Sequence, residues 1–294
     1  MYDIEELYEA TSVEHAIALR IEHPDAILIS GGSDILISIR AGKLAGCKLI
    51  SLYGLDALRG VTMDDDGTIR IGSLTSFTNL TRDPIIQKHI PVLGEAADKV
   101  GGPQIRNIGT IGGNTCNGVT SADTASTLMA WDAVIELTGK DGVRRVPIQD
   151  FYLRAKHVDI HPDEIETAVL IPQEAYEGYF GHYYKYAMRD AMDIATSGCS
   201  VNVKLSDDKQ TILDARIGYG VAGPVPLRAP TAEAYAKHKP VTRDTVEDFA
   251  DAALEDVNPR TSWRATKEFR LHIQRTLAAR CMTEAIQRAG GTIR

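Results

Sequence analysis

Residues 26–34, with the letters AILISGGSD, join a short apolar run to two glycines flanked by small polar side chains. The run is typical of a buried strand, and glycines directly after such a strand let backbone N–H groups approach a phosphate or pyrophosphate. Residues 109–114, with the letters GTIGGN, repeat the pattern later in the chain. One such pair is as consistent with a tight turn as with a ligand site, but two pairs favour a phosphorylated ligand.

Neither glycine segment matches a standard nucleotide fingerprint. The spacing G-x-G-x-x-G with a downstream acid is absent, and so is G-x-x-x-x-G-K followed by Ser or Thr. A Rossmann fold and a P-loop are therefore not expected. The pattern predicts a phosphorylated cofactor held by another kind of fold.

Hydropathy and turn patterns divide the chain into three units. Residues 1–57 combine a capped helix with short buried strands, typical of a small α/β unit. Residues 58–176 contain two predicted hairpins, with turns at 64–67 and 139–142. Residues 100–123 carry six glycines and only short apolar runs, which predicts mostly loop.

The third unit, residues 177–294, is predicted to be α+β. A connector rich in Tyr and Gly leads into a β-meander over residues 197–223. Helical periodicity follows over residues 231–239, 243–256 and 267–289. Strands followed by helices are typical of a separate α+β module.

Composition excludes several classes of protein. Lys and Arg number 32 against 40 Asp and Glu, a net charge of -8, so binding of nucleic acid or an anionic membrane by bulk charge is disfavoured. The four cysteines include no C-x-x-C pair, which predicts reduced, packed thiols and no zinc or iron–sulfur site. Residues 1–10 are acidic, so neither a signal peptide nor a membrane span is expected, and the location is expected to be cytoplasmic.

Four segments together resemble a known family. They are residues 30–34 (SGGSD), 102–114 (GPQIRNIGTIGGN), 120–123 (TSAD) and 185–195 (KYAMRDAMDIA). In this order they are similar to the FAD-binding subunits of molybdenum hydroxylases, in particular those of xanthine dehydrogenases. The resemblance implies an α+β chain with two α/β subdomains of the p-cresol methylhydroxylase/vanillyl-alcohol oxidase FAD-binding fold, then a C-terminal α+β domain of the carbon monoxide dehydrogenase flavoprotein type.

The resemblance also implies which residues contact the cofactor. Both glycine segments would hold the pyrophosphate of FAD, Asp123 would contact ribityl or ribose hydroxyls, the backbone near Ile165 would line the flavin, and Lys185 would lie near the isoalloxazine edge. The implied set is Ile27, Leu28, Ile29, Ser30, Gly31, Gly32, Ser33, Asp34, Gly109, Thr110, Ile111, Gly112, Gly113, Asn114, Asp123, Ile165 and Lys185. No catalytic residue and no metal ligand is predicted in this chain.

Several of these residues have a structural alternative. Asp123 could cap a helix over residues 124–130, Lys185 could be an ordinary surface lysine, and Arg106 could pair with a carboxylate as readily as with a phosphate. Val100 stands where animal xanthine dehydrogenases carry an aromatic residue that stacks on the flavin. Trp263 is predicted to pack at a helix start.

The function implied by the resemblance is electron transfer. Non-covalently bound FAD would accept electrons from 2Fe-2S clusters of a small partner subunit and pass them to NAD+ as co-substrate, while a large subunit with molybdopterin hydroxylates a purine such as xanthine or hypoxanthine. Alternatives are the flavin subunit of a nicotinate-type hydroxylase or of a 4-hydroxybenzoyl-CoA reductase-like complex, although the cysteine-bearing loop of the latter is missing. A scaffold without flavin is a more distant alternative, since both glycine pairs are intact.

Overall fold

The computed structural model describes residues 2–294. The first unit is a three-stranded parallel sheet with strand order β1-β3-β2. Ser12 begins the first helix, where its side chain accepts a hydrogen bond from the His15 N–H, as the capping pattern predicts. The elements are β1 (Ile4–Glu9), α1 (Val13–Glu22), β2 (Ile27–Ile29), α2 (Ile35–Arg40) and β3 (Cys47–Ser51).

The second unit contains a five-stranded antiparallel sheet of order β4-β5-β10-β6-β7, beside a two-stranded ribbon, β8 and β9. Both predicted hairpins are confirmed, because β4 pairs with β5 and β6 with β7 across the two Asp-Gly turns. The strands are β4 (Val61–Met63), β5 (Ile69–Gly72), β6 (Val134–Gly139), β7 (Gly142–Pro147), β8 (Tyr152–Arg154), β9 (His157–Val158) and β10 (Ile165–Ile171).

Short helices cover this sheet and bury an apolar core around Trp131, Leu128 and Leu93. Their bounds are α3 (Phe77–Arg82), α4 (Pro84–His89), α5 (Pro91–Asp98), α6 (Pro103–Ile108), α7 (Ile111–Cys116), α8 (Ala125–Ala130), α9 (Ile148–Phe151) and α10 (Gln173–Tyr176).

The prediction of loop over residues 100–123 is wrong, since α6 and α7 lie within it. Pro103 stands in the first turn of α6, where its missing N–H costs nothing, and Thr110 caps α7. Position 112, inside α7, requires glycine because an added Cβ would lie 2.6 Å from the Ser73 side chain. Glycine here permits close packing rather than an irregular backbone.

The third unit is a four-stranded sheet of order β11-β12-β13-β14, covered by three helices. The predicted meander and all three helices are confirmed, but the expected connector contains the strand β11, which pairs antiparallel with β12. The elements are β11 (Phe180–Tyr186), β12 (Ser197–Leu205), β13 (Ile212–Gly220), β14 (Leu227–Arg228), α11 (Pro230–Ala236), α12 (Arg243–Ala252) and α13 (Lys267–Arg288).

Trp263 does not pack as predicted. Its side chain is 79% exposed, and the Arg264 guanidinium lies 4.2 Å from the centre of its ring. The turn before α13 is held instead by Arg270, which donates to the Ser262 hydroxyl at 2.8 Å. The prediction was wrong because a polar side chain makes the contact that the aromatic residue was expected to make.

Contacts between the units place the site at their junction. Gly31 of the first unit packs directly against the Ile108 carbonyl of the second. Asn202 of the third unit donates to the Ala130 carbonyl at 2.9 Å, so β12 is fixed to the end of α8. The unit boundaries at residues 57/58 and 176/177 remain predictions. None of the helices in residues 2–294 is both long and apolar enough to cross a membrane.

Candidate cofactor-binding cleft

A cleft of about 630 Å³ lies where the first and second units meet. Its volume is within the range usual for small-molecule and cofactor sites. Thirteen of the predicted site residues line it: Ile27, Leu28, Ile29, Ser30, Gly31, Gly32, Ser33, Asp34, Gly109, Thr110, Gly112, Gly113 and Asn114. The two glycine segments, distant in sequence, therefore form one site.

The two glycine segments are in direct contact. The Ser30 and Thr110 hydroxyl oxygens lie 3.2 Å apart. A Cβ on Gly31 would stand 1.9 Å from the Ile108 carbonyl oxygen, so no other residue fits there without moving the backbone. Gly32 has a φ of +72°, which favours glycine at the turn into α2.

The backbone donors of the first segment are free. The N–H groups of residues 31–34 donate to no acceptor within the part of the chain that the structure describes. These residues are half-buried or exposed and belong to the lining of the cleft. Unpaired backbone N–H groups in such a place are able to bind an anion.

The second segment differs from the first in how its backbone amides are paired, and its contact with the cofactor remains a prediction. Its amides are already used: Ile111 donates to the Thr75 carbonyl, Gly112 to the Ser73 carbonyl, Gly113 to the Thr110 hydroxyl and Asn114 to the Thr110 carbonyl. An added Cβ on Gly113 would lie 3.0 Å from the Thr110 hydroxyl oxygen and 3.3 Å from that of Ser30. This segment is a close wall of the cleft, and Ile111 itself points into the core.

One end of the cleft is apolar. Phe77, Val100 and Ile105 line it, with Phe77 only 3% exposed. Phe77 was missed by the sequence reasoning, because its place in a helical pattern indicated only a core residue. Val100 lies in the wall, and no aromatic side chain occupies its position. Such a surface suits the flat apolar part of a ligand.

Lys185 and Asp123 form a buried ion pair outside the lining of the cleft. The Lys185 Nζ donates to Asp123 Oδ2 at 2.7 Å and to the Lys99 carbonyl at 2.9 Å, and the Tyr183 hydroxyl donates to Asp123 Oδ1 at 3.1 Å. Burial raises the pKa of Asp123 to about 6, and Lys185 opposes that rise. Through the hydrogen bond to Lys99, the pair connects β11 to the residue that precedes Val100.

The capping alternative for Asp123 is wrong, because Thr124 begins α8 and the Asp123 carboxylate is engaged by Lys185 and Tyr183. Lys185 is not an ordinary surface lysine, since its side chain is 8% exposed. Arg106 takes its structural alternative: Nε lies 3.3 Å from the Asp98 carboxylate and Nη1 donates to the Val100 carbonyl. Ile165 is fully buried and does not line the cleft.

The other end of the cleft carries polar residues that the sequence did not reveal. Arg20, Cys116, Glu166 and residues 156–158 line it. Glu166 Oε2 accepts hydrogen bonds from the Thr115 hydroxyl at 2.7 Å and the Cys116 thiol at 3.1 Å. Burial raises the pKa of Glu166 to about 8, so it is neutral at pH 7. No sequence signal marks these residues, because their shared location depends on four parts of the fold that are distant in sequence: α1, α7, β10 and the β8–β9 ribbon.

Burial is the main cause of the raised pKa of the Cys116 thiol, and the neighbouring Glu166 raises this pKa further. A protonated thiol is a poor nucleophile. Within residues 2–294 the four cysteines form no disulfide, and no three His, Cys, Asp or Glu side chains lie close enough together to hold a metal ion.

Comparison with known proteins identifies two matching families. The FAD binding domain in molybdopterin dehydrogenase matches residues 2–174, and the CO dehydrogenase flavoprotein C-terminal domain matches residues 182–285. The xanthine dehydrogenase FAD-binding subunit of Escherichia coli O157:H7 is 41% identical over 293 residues, covering all of both chains. The nicotinate dehydrogenase FAD-subunit of Eubacterium barkeri is 31% identical and covers 82% of each chain.

A solved structure agrees with this assignment. The carbon monoxide dehydrogenase of Hydrogenophaga pseudoflava superposes with a TM-score of 0.92 at 30% identity, covering 98% of this chain and 99% of that one. The α+β architecture implied by the resemblance is therefore confirmed.

Proposed function

The chain belongs to the family of FAD-binding subunits of molybdenum hydroxylases, and on that premise we propose that it relays electrons from iron–sulfur clusters of a partner subunit to NAD+ during the hydroxylation of a purine. It is an oxidoreductase subunit with an FAD-binding domain. FAD, when bound, supplies the hydride and single-electron chemistry.

The observation that carries the proposal is the row of four unpaired N–H groups at residues 31–34, next to Ser30, whose hydroxyl contacts that of Thr110. They match the two adjacent negative charges of a pyrophosphate, and the approach of Gly31 to Ile108 leaves the backbone bare at that point. A cleft of about 630 Å³ has room for a dinucleotide that extends partly into solvent.

The chain's own residues orient and shield the cofactor. The apolar wall of Phe77, Val100 and Ile105 is proposed to contact the isoalloxazine ring, with valine leaving the ring less covered than an aromatic residue would. Asp123 and Lys185 are proposed to act on the flavin end of the cleft indirectly. Lys185 donates a hydrogen bond to the Lys99 carbonyl, and Lys99 is next to Val100 in the apolar wall. The backbone around Ile165, next to the cleft residue Glu166, remains a proposed contact of the flavin.

The partners and the substrate belong to the same proposal. A large subunit with molybdopterin, a small subunit with 2Fe-2S clusters, NAD+ as the acceptor and a cytoplasmic location are proposed from the similarity to the xanthine dehydrogenase subunit. The similarity to a nicotinate dehydrogenase subunit makes another heteroaromatic substrate the second candidate. The residues that would contact either substrate are expected on the large subunit.

The test compares reductants on the isolated chain and on the complex co-purified with it. Under anaerobic stopped-flow conditions, NADH is expected to bleach the flavin absorbance of both samples. Xanthine is expected to bleach only the complex, since an isolated chain has no route from a purine to the flavin.

Bleaching of the isolated chain by xanthine would refute the relay, and a chain that NADH does not reduce would refute NAD+ as acceptor. Nicotinate acting in place of xanthine on the complex would favour the second candidate. Mass spectrometry of the co-purified subunits identifies the partners directly.

A further inference from the structure

We propose that the surface around Trp263 is a docking site for an acidic surface of a partner subunit. This docking surface consists of residues 260–269 together with Tyr186 and Ile194. The inference rests on the proposed function, which names partner subunits but assigns no part of this chain to them. None of the residues of the docking surface lines the cofactor cleft.

The centre of the docking surface is an exposed aromatic ring that the chain holds in place. At 79%, Trp263 is the most exposed of the large apolar side chains in residues 2–294. The Arg264 guanidinium lies 4.2 Å from the centre of its ring, and residues 262 and 265 close the turn with two backbone hydrogen bonds. Tryptophan and arginine are enriched among the residues that contribute most to binding at interfaces. A pair that is already ordered also loses less freedom on binding.

Further apolar side chains lie beside this turn. Arg270 connects two segments, since its Nη2 donates to the Ser262 hydroxyl at 2.8 Å and its Nη1 to the carbonyl of residue 196. Ile194, two residues before that carbonyl, is 49% exposed, and Phe269 is 43% exposed. The Phe269 ring centre lies 6.1 Å from that of Tyr186. Exposed apolar side chains gathered in one place are typical of an interaction site.

The charge of the docking surface is opposite to that of the whole chain. The chain has a net charge of -8. Residues 258–270 nevertheless carry one carboxylate, Glu268, against four cations: Arg260, Arg264, Lys267 and Arg270. The Lys267 ammonium donates to an amide oxygen, that of Asn258 at 2.7 Å, and not to a carboxylate. This surface is therefore complementary to an acidic one.

The arginines of this surface lack a counter-charge. Arg270 is 3% exposed, and its hydrogen bonds go to a carbonyl and a hydroxyl, which are both neutral. Burial lowers the pKa of Arg270, and the nearby charges of Arg260 and Arg264 lower it further. On the same helix, by contrast, Arg275 pairs with the Asp251 carboxylate. Buried charges are normally paired, and a carboxylate of a partner placed over the more exposed Arg260 and Arg264 would supply the missing charge.

A protein surface with carboxylates around an apolar area is the occupant that fits. Two copies of this chain that met through this surface would bring the same arginines together, and like charges repel. A small anion would satisfy the guanidinium groups but would leave Trp263 and Phe269 uncovered. On the proposed function, the proteins that this chain contacts are the other subunits of its complex. The docking surface is therefore assigned to one of them.

The test measures how tightly the flavin-loaded, full-length chain binds the partner subunits purified without it. Trp263→Ala and Arg264→Glu are each expected to bind at least about tenfold more weakly, the loss typical of a central interface residue. Arg243→Glu is the matched control and is expected to bind as the wild type, because Arg243 is an exposed arginine of the same unit and its reversal changes the net charge equally. Added salt is expected to weaken the wild type and to narrow its difference from Arg264→Glu.

Two further readouts separate docking from a change in the fold or in the cleft. A photo-reactive phenylalanine analogue at position 263 is expected to form an adduct with a peptide of a partner subunit that is rich in Asp and Glu. NADH is expected to bleach the flavin of every isolated variant at the wild-type rate, since the substitutions lie outside the cleft.

Equal partner affinity in the wild type, Trp263→Ala and Arg264→Glu would overturn the inference, and so would a photo-adduct with a second copy of this chain alone. Slower bleaching by NADH with unchanged partner affinity would also overturn it, because the surface would then serve the dinucleotide. A wild type that holds no flavin or binds no partner subunit would instead refute the proposed function, so the two failures are distinguishable.

Discussion

Substituting Gly31 by alanine tests whether the contact between the two glycine segments creates the cofactor site. The added Cβ would stand 1.9 Å from the Ile108 carbonyl oxygen and 3.2 Å from the Gly109 nitrogen. Since Cβ contacts below 3.0 Å essentially never occur, the segments must separate by about 1.1 Å. Overpacking of this kind costs about 1–3 kcal/mol, and the obstacle is backbone rather than a flexible side chain.

The separation also moves the free N–H groups of residues 31–34 away from the wall at Thr110. Binding groups misplaced by about 1 Å lose much of their effect, so Gly31→Ala is expected to lose at least tenfold in FAD affinity. Flavin fluorescence on reconstitution measures the affinity, and urea unfolding measures the stability. Gly54→Ala is the matched control, because its Cβ meets nothing within 4 Å and its φ is not positive. A Gly31→Ala chain with wild-type flavin content and stability would refute the reasoning.

Three further predictions concern the buried groups. Relative to Glu166→Gln, the wild type is expected to lose about 1.4 kcal/mol of unfolding free energy per pH unit between pH 4.5 and about 8, because the folded state keeps a proton that the unfolded state has released; urea unfolding across this range checks it, and parallel curves would contradict it. Lys185→Met is expected to cost about 3 kcal/mol, since it strands the Asp123 carboxylate; adding Asp123→Asn should recover part of the loss, and no recovery would mean that the pair is not the cause. Acid precipitation is expected to leave all flavin in the supernatant, because the nearby Cys116 thiol is protonated and donates to Glu166; a yellow pellet with an adduct on Cys116 would contradict this.

Local patterns predicted the strands and turns well because their determinants are close in sequence. The run Ile27–Ile29 is followed at once by its glycines, and each Asp-Gly turn stands between the strands that it connects. The capping hydroxyls of Ser12 and Thr242 lie three residues from the amides that they accept from. Such features need no information from the rest of the fold.

The errors arise where glycine or an aromatic residue serves a distant contact. Gly109 faces the ring of Phe77 and Gly112 faces Ser73, so the glycines of residues 100–123 permit helix packing instead of preventing helices. Strand β11 was hidden by its tyrosines, of which Tyr183 points into the core of the second unit. These contacts cross between elements, and a one-dimensional pattern does not contain them.

The same distinction explains what could be predicted of the site. The sequence showed two glycine segments of one kind, yet their amides differ in the structure: Ser73 and Thr75 accept two amides of α7, whereas no group in residues 2–294 accepts those of residues 31–34. A wall whose hydrogen bonds are all made within the protein is held rigid before any ligand arrives. On the proposed function, the free amides would face one fixed surface, and pyrophosphate binding would have to order only the first segment. Preorganisation of this kind lowers the entropic cost of binding, and it follows from the long-range partners of the amides rather than from the glycine pattern itself.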